Sequence, residues 1–428
     1  MRRRNLSMLI AFLFIGNVSI SYAQEGNNEK DKFFVSAQIR TRGEYRNGAL
    51  YPRNEGDLPS GFINERARLS LGYERQRLSL KFSAQHVGVW GQDALVDKNG
   101  RFILNEAWAA FEFNDYWFMQ LGRQALSYDD ERILGGLDWN VAGRYHDALK
   151  IGYRKNGHQL HGIFAFNQND GNVIGGTFYD SSKTKLYKNM QTLWYHYDFA
   201  STPLQFSIMA MNLGQEGDDA GSRKSDTQYM QTFGTYIKYA PGQWDLSGAF
   251  YYQFGKNVSS RSVSAFMGSA RASYNINKSW SVNVGTDYLS GNDKSDGTYK
   301  AFNPLYGTHH KFYGTMDYFY ASDFIGGYSP GLSDIQIGVG CKVSSSVSME
   351  MNYHYFATAV KLENQERSLG SEIDYLLDWK IMKDVSLSLG YSVMFGTSTM
   401  DVVKGGNHNS WQDWGWVSLN INPQIFCK

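Results

Sequence analysis

The sequence predicts an all-β fold: a single transmembrane antiparallel β-barrel of about 18 strands, with short periplasmic turns and long extracellular loops. Three observations carry that reading. The first is period-2 alternation from Phe33 to the C-terminus. Ala67, Leu69, Leu71 and Tyr73 share one face, and Arg66, Arg68, Ser70 and Glu74 the other. In the next segment Leu78, Leu80, Phe82 and Ala84 oppose Arg77, Lys81, Ser83 and Gln85, and Val385, Leu387, Leu389, Tyr391 and Val393 repeat the pattern late in the chain. This is the strand period, not the helical one. The second observation is composition. The 428 residues are 15% aromatic, with 29 Tyr, 26 Phe and 11 Trp, and only 7 are Pro. That is too polar for a helical membrane protein and too aromatic for an ordinary soluble enzyme. It suits a membrane barrel, where only alternate residues face lipid and aromatic girdles mark both interfaces. Past the N-terminus no run of 18 apolar residues offers a transmembrane helix.

The third observation is the alternation of short and long connections. Short polar turns are expected at 75–77, 114–115, 155–157, 201–203, 241–242, 277–278, 344–346 and 382–384. Long loops are expected at 47–61, 91–101, 124–147, 168–189, 214–227, 255–261, 291–332, 358–367 and 396–410. Eight turns and nine loops join eighteen strands, with both ends in the periplasm, the asymmetry expected of outer-membrane barrels. The segments between them run about 10 to 14 residues, longer than the ~5–6 of soluble strands and suited to a tilted span. Alternating apolar and charged faces imply lipid outside and water inside.

Taken in order, the chain opens on a targeting segment. Arg2, Arg3 and Arg4 precede an apolar stretch from Leu6 to Ile20, and Ser21-Tyr22-Ala23 forms a small-x-small cleavage site. Residues 1–23 therefore read as a signal peptide and 24–428 as one barrel domain. Loss of three arginines takes the formal charge from +1 to −2, which argues against a nucleic-acid partner. The alternation stops at residues 121–147, LGRQALSYDDERILGGLDWNVAGRYHD, where eight charges fall within 25 positions (Arg123, Asp129, Asp130, Glu131, Arg132, Asp138, Arg144, Asp147). Gly135, Gly136 and Gly143 supply backbone freedom, and Tyr128, Ile133, Leu134, Leu137, Trp139 and Val141 argue against disorder. A loop this long without its own periodicity is usually functional, and this one is read as folded inward over the lumen. Residues 310–319 could pass as a strand, but a nineteenth strand would put the 344–346 turn on the outer side. The whole of 291–332 is therefore read as one external segment, folded into the lumen. The last strand is expected over 413–426. Cys341 lies on the apolar parity of a strand, Cys427 is next to last, and the two look unlike a disulfide framework.

The chain resembles the alginate-export family of outer-membrane proteins. The residues that carry the likeness are Gly122-Arg123-Gln124, Tyr128 through Arg132, Asp138-Trp139, Gly143-Arg144 with Asp147, FNPLYG at 302–307, residues 310–313, Asp317-Tyr318, and Leu369-Gly370 with Glu372 and Asp374. The N-terminal Arg40, Arg42, Glu44, Arg66 and Arg68 fit as well. The resemblance implies an eighteen-stranded barrel whose charged lumen passes an anionic polysaccharide. Its constriction would be built from inward arginines with a few acidic partners. By position the basic candidates are Arg66, Arg68, Arg123, Arg132 and Arg144, and the acidic candidates Glu106, Asp129, Asp147, Glu372 and Asp374. Two departures bear on the substrate. The short 382–384 turn stands where the alginate exporter has a long periplasmic loop, and the candidates mix signs.

A ring of Arg or Lys in a narrow pore focuses a positive field and selects anions, and a guanidinium meets a uronate carboxylate in bidentate fashion. The alternative for Arg123, Arg132 and Arg144 is bracing, each paired with Asp129, Asp138 or Asp147. Trp108, Tyr236 and Tyr251, on the inner parity, fit packing better than a sugar slide. Asn292 to Gly297 has half the spacing of a calcium loop and lacks the closing Glu. The nine histidines show no metal-ligand spacing, and no cofactor is implied. No GxSxG elbow, P-loop or dinucleotide fingerprint points to an enzyme. The implied partners are an anionic polysaccharide or small acidic solute, outer-membrane lipid and the barrel-assembly machinery. A binding or adhesion barrel with a closed lumen is the competing expectation, and an outer-membrane hydrolase a weaker one.

Overall fold

Alternation at these positions builds eighteen antiparallel strands of 8 to 16 residues: β1 (Lys32–Asn47), β2 (Ser60–Arg75), β3 (Leu78–Val89), β4 (Arg101–Glu112), β5 (Trp117–Gln124), β6 (His146–Lys155), β7 (His158–Phe166), β8 (Asn189–Asp198), β9 (Leu204–Gln215), β10 (Gln228–Tyr239), β11 (Trp244–Lys256), β12 (Ser262–Asn275), β13 (Trp280–Leu289), β14 (Leu332–Lys342), β15 (Val347–Ala357), β16 (Ser368–Met382), β17 (Val385–Gly396) and β18 (Gln412–Ile421). The computed structural model describes residues 31–92, 101–169, 171, 173–174, 177–217, 227–292 and 297–428. The signal segment lies outside the described residues, as does most of the Asn292–Gly297 stretch. Each strand pairs with its sequence neighbours, and β1 pairs with both β2 and β18, so the sheet closes on itself. Closure removes the exposed edge that an open sheet would present.

The nine external loops are called L1 to L9 in chain order. L3 spans 125–145 and L7 spans 290–331. Residues 310–319 form no strand; among the described residues of L7 there is a short 3-10 turn at His309–Lys311 and otherwise isolated bridges. The last strand departs from the single run expected over 413–426. It stops at Ile421, and Gln424–Cys427 (β19) resumes pairing with β1 at a shifted register. Pro423 is the cause, because it has no N–H to give the ladder; its carbonyl still accepts from the Ala37 N–H at 3.1 Å.

On the outer face, exposed aromatics gather at both ends of the strands. Trp117, Trp244, Trp280 and Trp379 lie beside the short turns, and Phe166, Phe254, Tyr288 and Phe395 beside the long loops. These are the two interfacial girdles. The inner face differs from the water-filled interior the alternation implied. Met190, Met209, Met211, Met230 and Met267 point inward from β8–β12. They pack with Leu126, Ile133 and Leu134 of L3 and with Phe302, Phe312, Met316 and Phe319 of L7 into one buried cluster. The extracellular half of the lumen is a dry core, because two loops fold into it and bring apolar side chains to meet apolar walls. Full burial of each such side chain contributes ~1.5–3 kcal/mol. Tyr251 belongs to this packing, and Tyr236 packs against it. Cys341 and Cys427 are both free thiols.

Several inner-face rings lie flat across a cross-strand glycine, which keeps them against the wall. A Cβ on Gly390 would sit 2.3 Å from the Trp416 indole, and one on Gly72 1.9 Å from the Phe34 ring. Trp416 in turn touches Trp139 of L3, ring centroids 4.9 Å apart. Gly390→Val should lift Trp416 off the wall and overpack L3. A loss of about 1–3 kcal/mol is expected, read as a lower temperature of heat-modified migration in detergent; an unchanged temperature would contradict the packing role.

Candidate functional site

The site grows from the parity of two strands. On β1, Arg40, Arg42, Glu44 and Arg46 alternate inward, and on β2 Arg66 and Arg68 do the same. Register places Arg40 directly opposite Arg66. Like charges directly opposite one another destabilise a sheet unless a counter-charge lies between them. L3 supplies it.

Residues 138–142 of L3 run across this wall, and all five of their carbonyls accept from it. Arg40 donates to Asp138 O (2.8 Å) and Asn140 O (3.1 Å), and Arg42 donates to Trp139 O (3.1 Å). Arg66 donates to Val141 O and Asn140 O, both 2.6 Å, and Gln85 Nε2 donates to Ala142 O at 2.7 Å. The Asp138 carboxylate sits among three guanidiniums: 2.6 Å from Arg66, 3.2 Å from Arg40 and 4.0 Å from Arg68. Burial would raise its pKa, but Arg66, Arg40 and Arg68 outweigh it and hold the carboxyl below its ordinary 3.8. Arg66 is fully buried, whereas 68% of the Asp138 side chain stays open to the lumen. Trp139 is held between the Arg42 guanidinium, 4.1 Å from its ring, and a parallel-stacked His310, 4.1 Å away.

L3 and L7 dock by a short two-strand contact. Gly135 N–H donates to Tyr306 O, Tyr306 N–H to Ile133 O and Thr308 N–H to Glu131 O. Gly135 serves close approach here, since a Cβ would fall 2.3 Å from Thr308 Oγ1. Arg144 donates to the carbonyls of Tyr306 and Gly307; burial lowers its pKa to about 10, so it remains a cation at neutral pH. Arg132 lies fully buried between Asp130 (2.7 Å) and Asp287 of β13 (2.6 Å), with Phe312 under its plane. The Asp287 contact is an ion pair rather than an aligned hydrogen bond. Burial alone would lower the Arg132 pKa; Asp287 and Asp130 raise it instead. The far wall holds L7. Glu372 accepts from Met316 N–H (2.8 Å), and Asp374 accepts from Thr315 Oγ1 (2.5 Å). His354 bridges Asp334 (3.0 Å) and Asp374 (3.7 Å).

The candidates thus fall into three places. Arg66 and Arg68 lie on the inner wall at the L3 contact, and Glu106 lies on the inner wall, 2.5 Å from Lys81. Arg132, Glu372 and Asp374 are buried at the loop junctions, and Arg144 and Asp129 are half-buried there; Asp129 accepts from Trp194 Nε1 at 3.0 Å, and desolvation raises its pKa. Arg123 and Asp147 are corrections. They pair with each other at 2.8 Å on the parity of Leu121 and Ile151, the outer face of the barrel. At the extracellular end of the strands they lie beyond the apolar band, where an outward charge costs little. The bracing partners also differ from those expected: Arg132 takes Asp130 and Asp287, and Arg144 takes backbone carbonyls. The expected list omitted Arg40, Asp138 as a lumen group, and the Arg271–Asp287 pair (2.9 Å). Inward parity on β1 was the available signal for Arg40.

One arrangement has the residue types of a hydrolase. His196 lies 2.8 Å from Ser207 Oγ and 3.2 Å from Asp198. Ser207 is fully buried, so no acyl group reaches its Oγ.

Barrel, girdles and charged inward loops define an outer-membrane channel protein. The chain belongs to the alginate-export family, whose model, described as alginate export, matches residues 35–400. No curated protein matches the chain in sequence. Similar solved structures include Pseudomonas aeruginosa OccK9 (OpdG), at 13% identity and TM-score 0.63, covering 94% of this chain and 100% of that one. Acinetobacter baumannii OccAB4 has 11% identity and TM-score 0.61, covering 92% and 98%. P. aeruginosa OccK2 (OpdF) in complex with glucuronate has 12% identity and TM-score 0.60, also covering 92% and 98%. At these identities the likeness is one of fold.

Arg66→Ala removes four charge-assisted hydrogen bonds to L3 at once and should destabilise the docked L3 by about 2–4 kcal/mol. Loss of Trp139 emission in the folded barrel, read against Trp139→Phe, measures it. Because the Asp138 pKa is depressed on folding, its contribution is complete above pH 3.8 and is lost as pH falls through the lower folded value. The acid transition of L3 should therefore lie below pH 3.8 and vanish in Asp138→Asn; an identical transition in that variant would assign it elsewhere.

Proposed function

We propose that the barrel passes anionic polysaccharide, acidic oligosaccharides or small acidic solutes along the β1–β3 side of a charged constriction. The observation that carries the reading is the imbalance on that wall. Five inward guanidiniums (Arg40, Arg42, Arg46, Arg66, Arg68) face two carboxylates, Glu44 and Asp138. Lys81 of β3 adds a half-exposed ammonium below them, paired with Glu106 of β4 at 2.5 Å. The opposite wall is acidic in balance, with Asp287, Asp334, Glu372 and Asp374 against Arg271. A pore between such walls has a transverse field, and an acidic solute would track the basic side. Rings of Arg or Lys select anions provided that binding is weak enough to release. Engagement of the guanidiniums by loop carbonyls leaves their charge in place while occupying their strongest donors, which favours weak binding. The glucuronate in the OccK2 complex is a ligand of the kind this wall would accept.

A closed barrel that binds through its loops is the second reading. The dry packing of L3 and L7 in the extracellular half of the lumen favours it.

The two readings separate in planar bilayers. The conducting reading expects anion selectivity under a salt gradient, with current block by an oligouronate. Arg68→Ala with Lys81→Ala, which leaves the L3 carbonyls engaged, should lower the anion-to-cation permeability ratio by about two-fold or more. Cation selectivity would overturn the anionic route, and silence of the wild type would favour the closed barrel.

A further inference from the structure

A cavity of about 850 Å³ opens among the external loops, above the point where L7 docks on L3. It lies within the size range of small-molecule sites, roughly 300–1,000 Å³. Its floor includes Leu305 and Tyr306, the peptide stretch that Arg144 grips from the other side. Its chemistry is unlike that of the constriction. The walls carry the partly exposed rings of Tyr299, Tyr320, Phe324 and Tyr328, and Tyr51 of L1 stands at the rim with 64% of its surface exposed.

Polar groups line the same space. The amide oxygen of Asn257 already accepts from Ser259 N–H and Arg261 N–H, and that of Asn303 from Leu305 N–H. What these side chains can offer a ligand is therefore their amide NH₂ groups. Ser182 adds an exposed hydroxyl oxygen that can accept, its own hydrogen being donated to Asp180 at 2.5 Å. Charge is balanced: among the described lining residues Lys185 and Asp323 are the full charges, and they lie 3.3 Å apart. His309 is neutral, since burial pushes its pKa down to about 4. Aromatic faces with amide donors, a hydroxyl acceptor and no net charge suit a ligand having an apolar C–H face, hydroxyl groups and no charge.

We infer that this cavity is a binding site for a short neutral saccharide. Sugar rings would stack on the tyrosines, with hydroxyl and ring oxygens accepting from Asn257 and Asn303. The inference does not rest on conduction through the constriction: the site recognises by stacking and hydrogen bonding, whereas the wall below sorts by charge.

The test is calorimetric titration of the full barrel in detergent with maltotriose, cellotriose and mannotriose, alongside the trisaccharide of galacturonic acid. Saturable one-to-one binding of at least one neutral trisaccharide is expected, little altered by high salt or by Lys185→Ala. Tyr51→Ala, an exposed position that leaves the fold intact, should weaken it by about ten-fold, as should Tyr328→Ala. Heat-modified migration on gels verifies folding of each variant. Absence of saturable binding to any neutral trisaccharide overturns the inference, as does binding that survives both tyrosine variants. Binding of the uronate alone, abolished by salt, overturns it too. Bilayer selectivity is read separately, so an anion-selective barrel that binds no neutral sugar refutes this site and leaves the channel reading standing.

Discussion

Two arginines face each other across a strand pair, and much else follows from that. Arg40 and Arg66 are register partners on the inner wall, where unbalanced like charge is costly. The fold answers with a segment of backbone rather than with another strand. Carbonyls 138 to 141 and the Asp138 carboxylate lie over the guanidiniums and turn a repulsive pair into a docking surface. Backbone carbonyls are obligatory acceptors that must find donors once buried, so the wall satisfies the loop as much as the loop neutralises the wall.

Docking of L3 then organises the interior. Its inner side presents Leu126, Ile133 and Leu134, which can be buried only if something apolar covers them. L7 does so, joined to L3 through the 133–135 and 306–308 contact and held on the far side by Glu372 and Asp374. Much of the family-matching sequence meets here: Tyr128 through Arg132, Asp138-Trp139, Gly143-Arg144, FNPLYG at 302–307, residues 310–313, and Glu372 with Asp374. Most of these residues hold loops to walls or to each other. The residues that carried the resemblance are to a large extent those of an inward-folded pair of loops.

The hairpin pattern was legible because each strand carries its own period and each turn its own breakers. Loop ends read from the sequence match the strand ends within about two residues, the ordinary scatter of such boundaries. The inward L7 was legible by parity, since a nineteenth strand would have reversed every later turn. Arg66 and Arg68 were legible as inward, but what they touch was not, because L3 lies some 70 residues away and no local pattern encodes its path. Arg123 and Asp147 were misplaced for a different reason. Their parity with Leu121 pointed outward, and it was the family resemblance that placed them with the constriction; at the strand ends an outward charge costs little. The dry extracellular half was not read from the sequence, because the inward methionines of β8–β12 take that meaning only from loops that come from elsewhere in the chain.

The central claim is that the β1–β2 arginines hold L3 across the lumen. It is tested most directly by the distance distribution between spin labels on Asn140 of L3 and Ala109 on the outer face of β4. The account predicts one narrow distribution in the otherwise wild-type barrel and a broad one in Arg40→Ala/Arg66→Ala. The same narrow distribution in both would mean that the loop is held by its apolar contacts alone and that the arginine clamp is incidental.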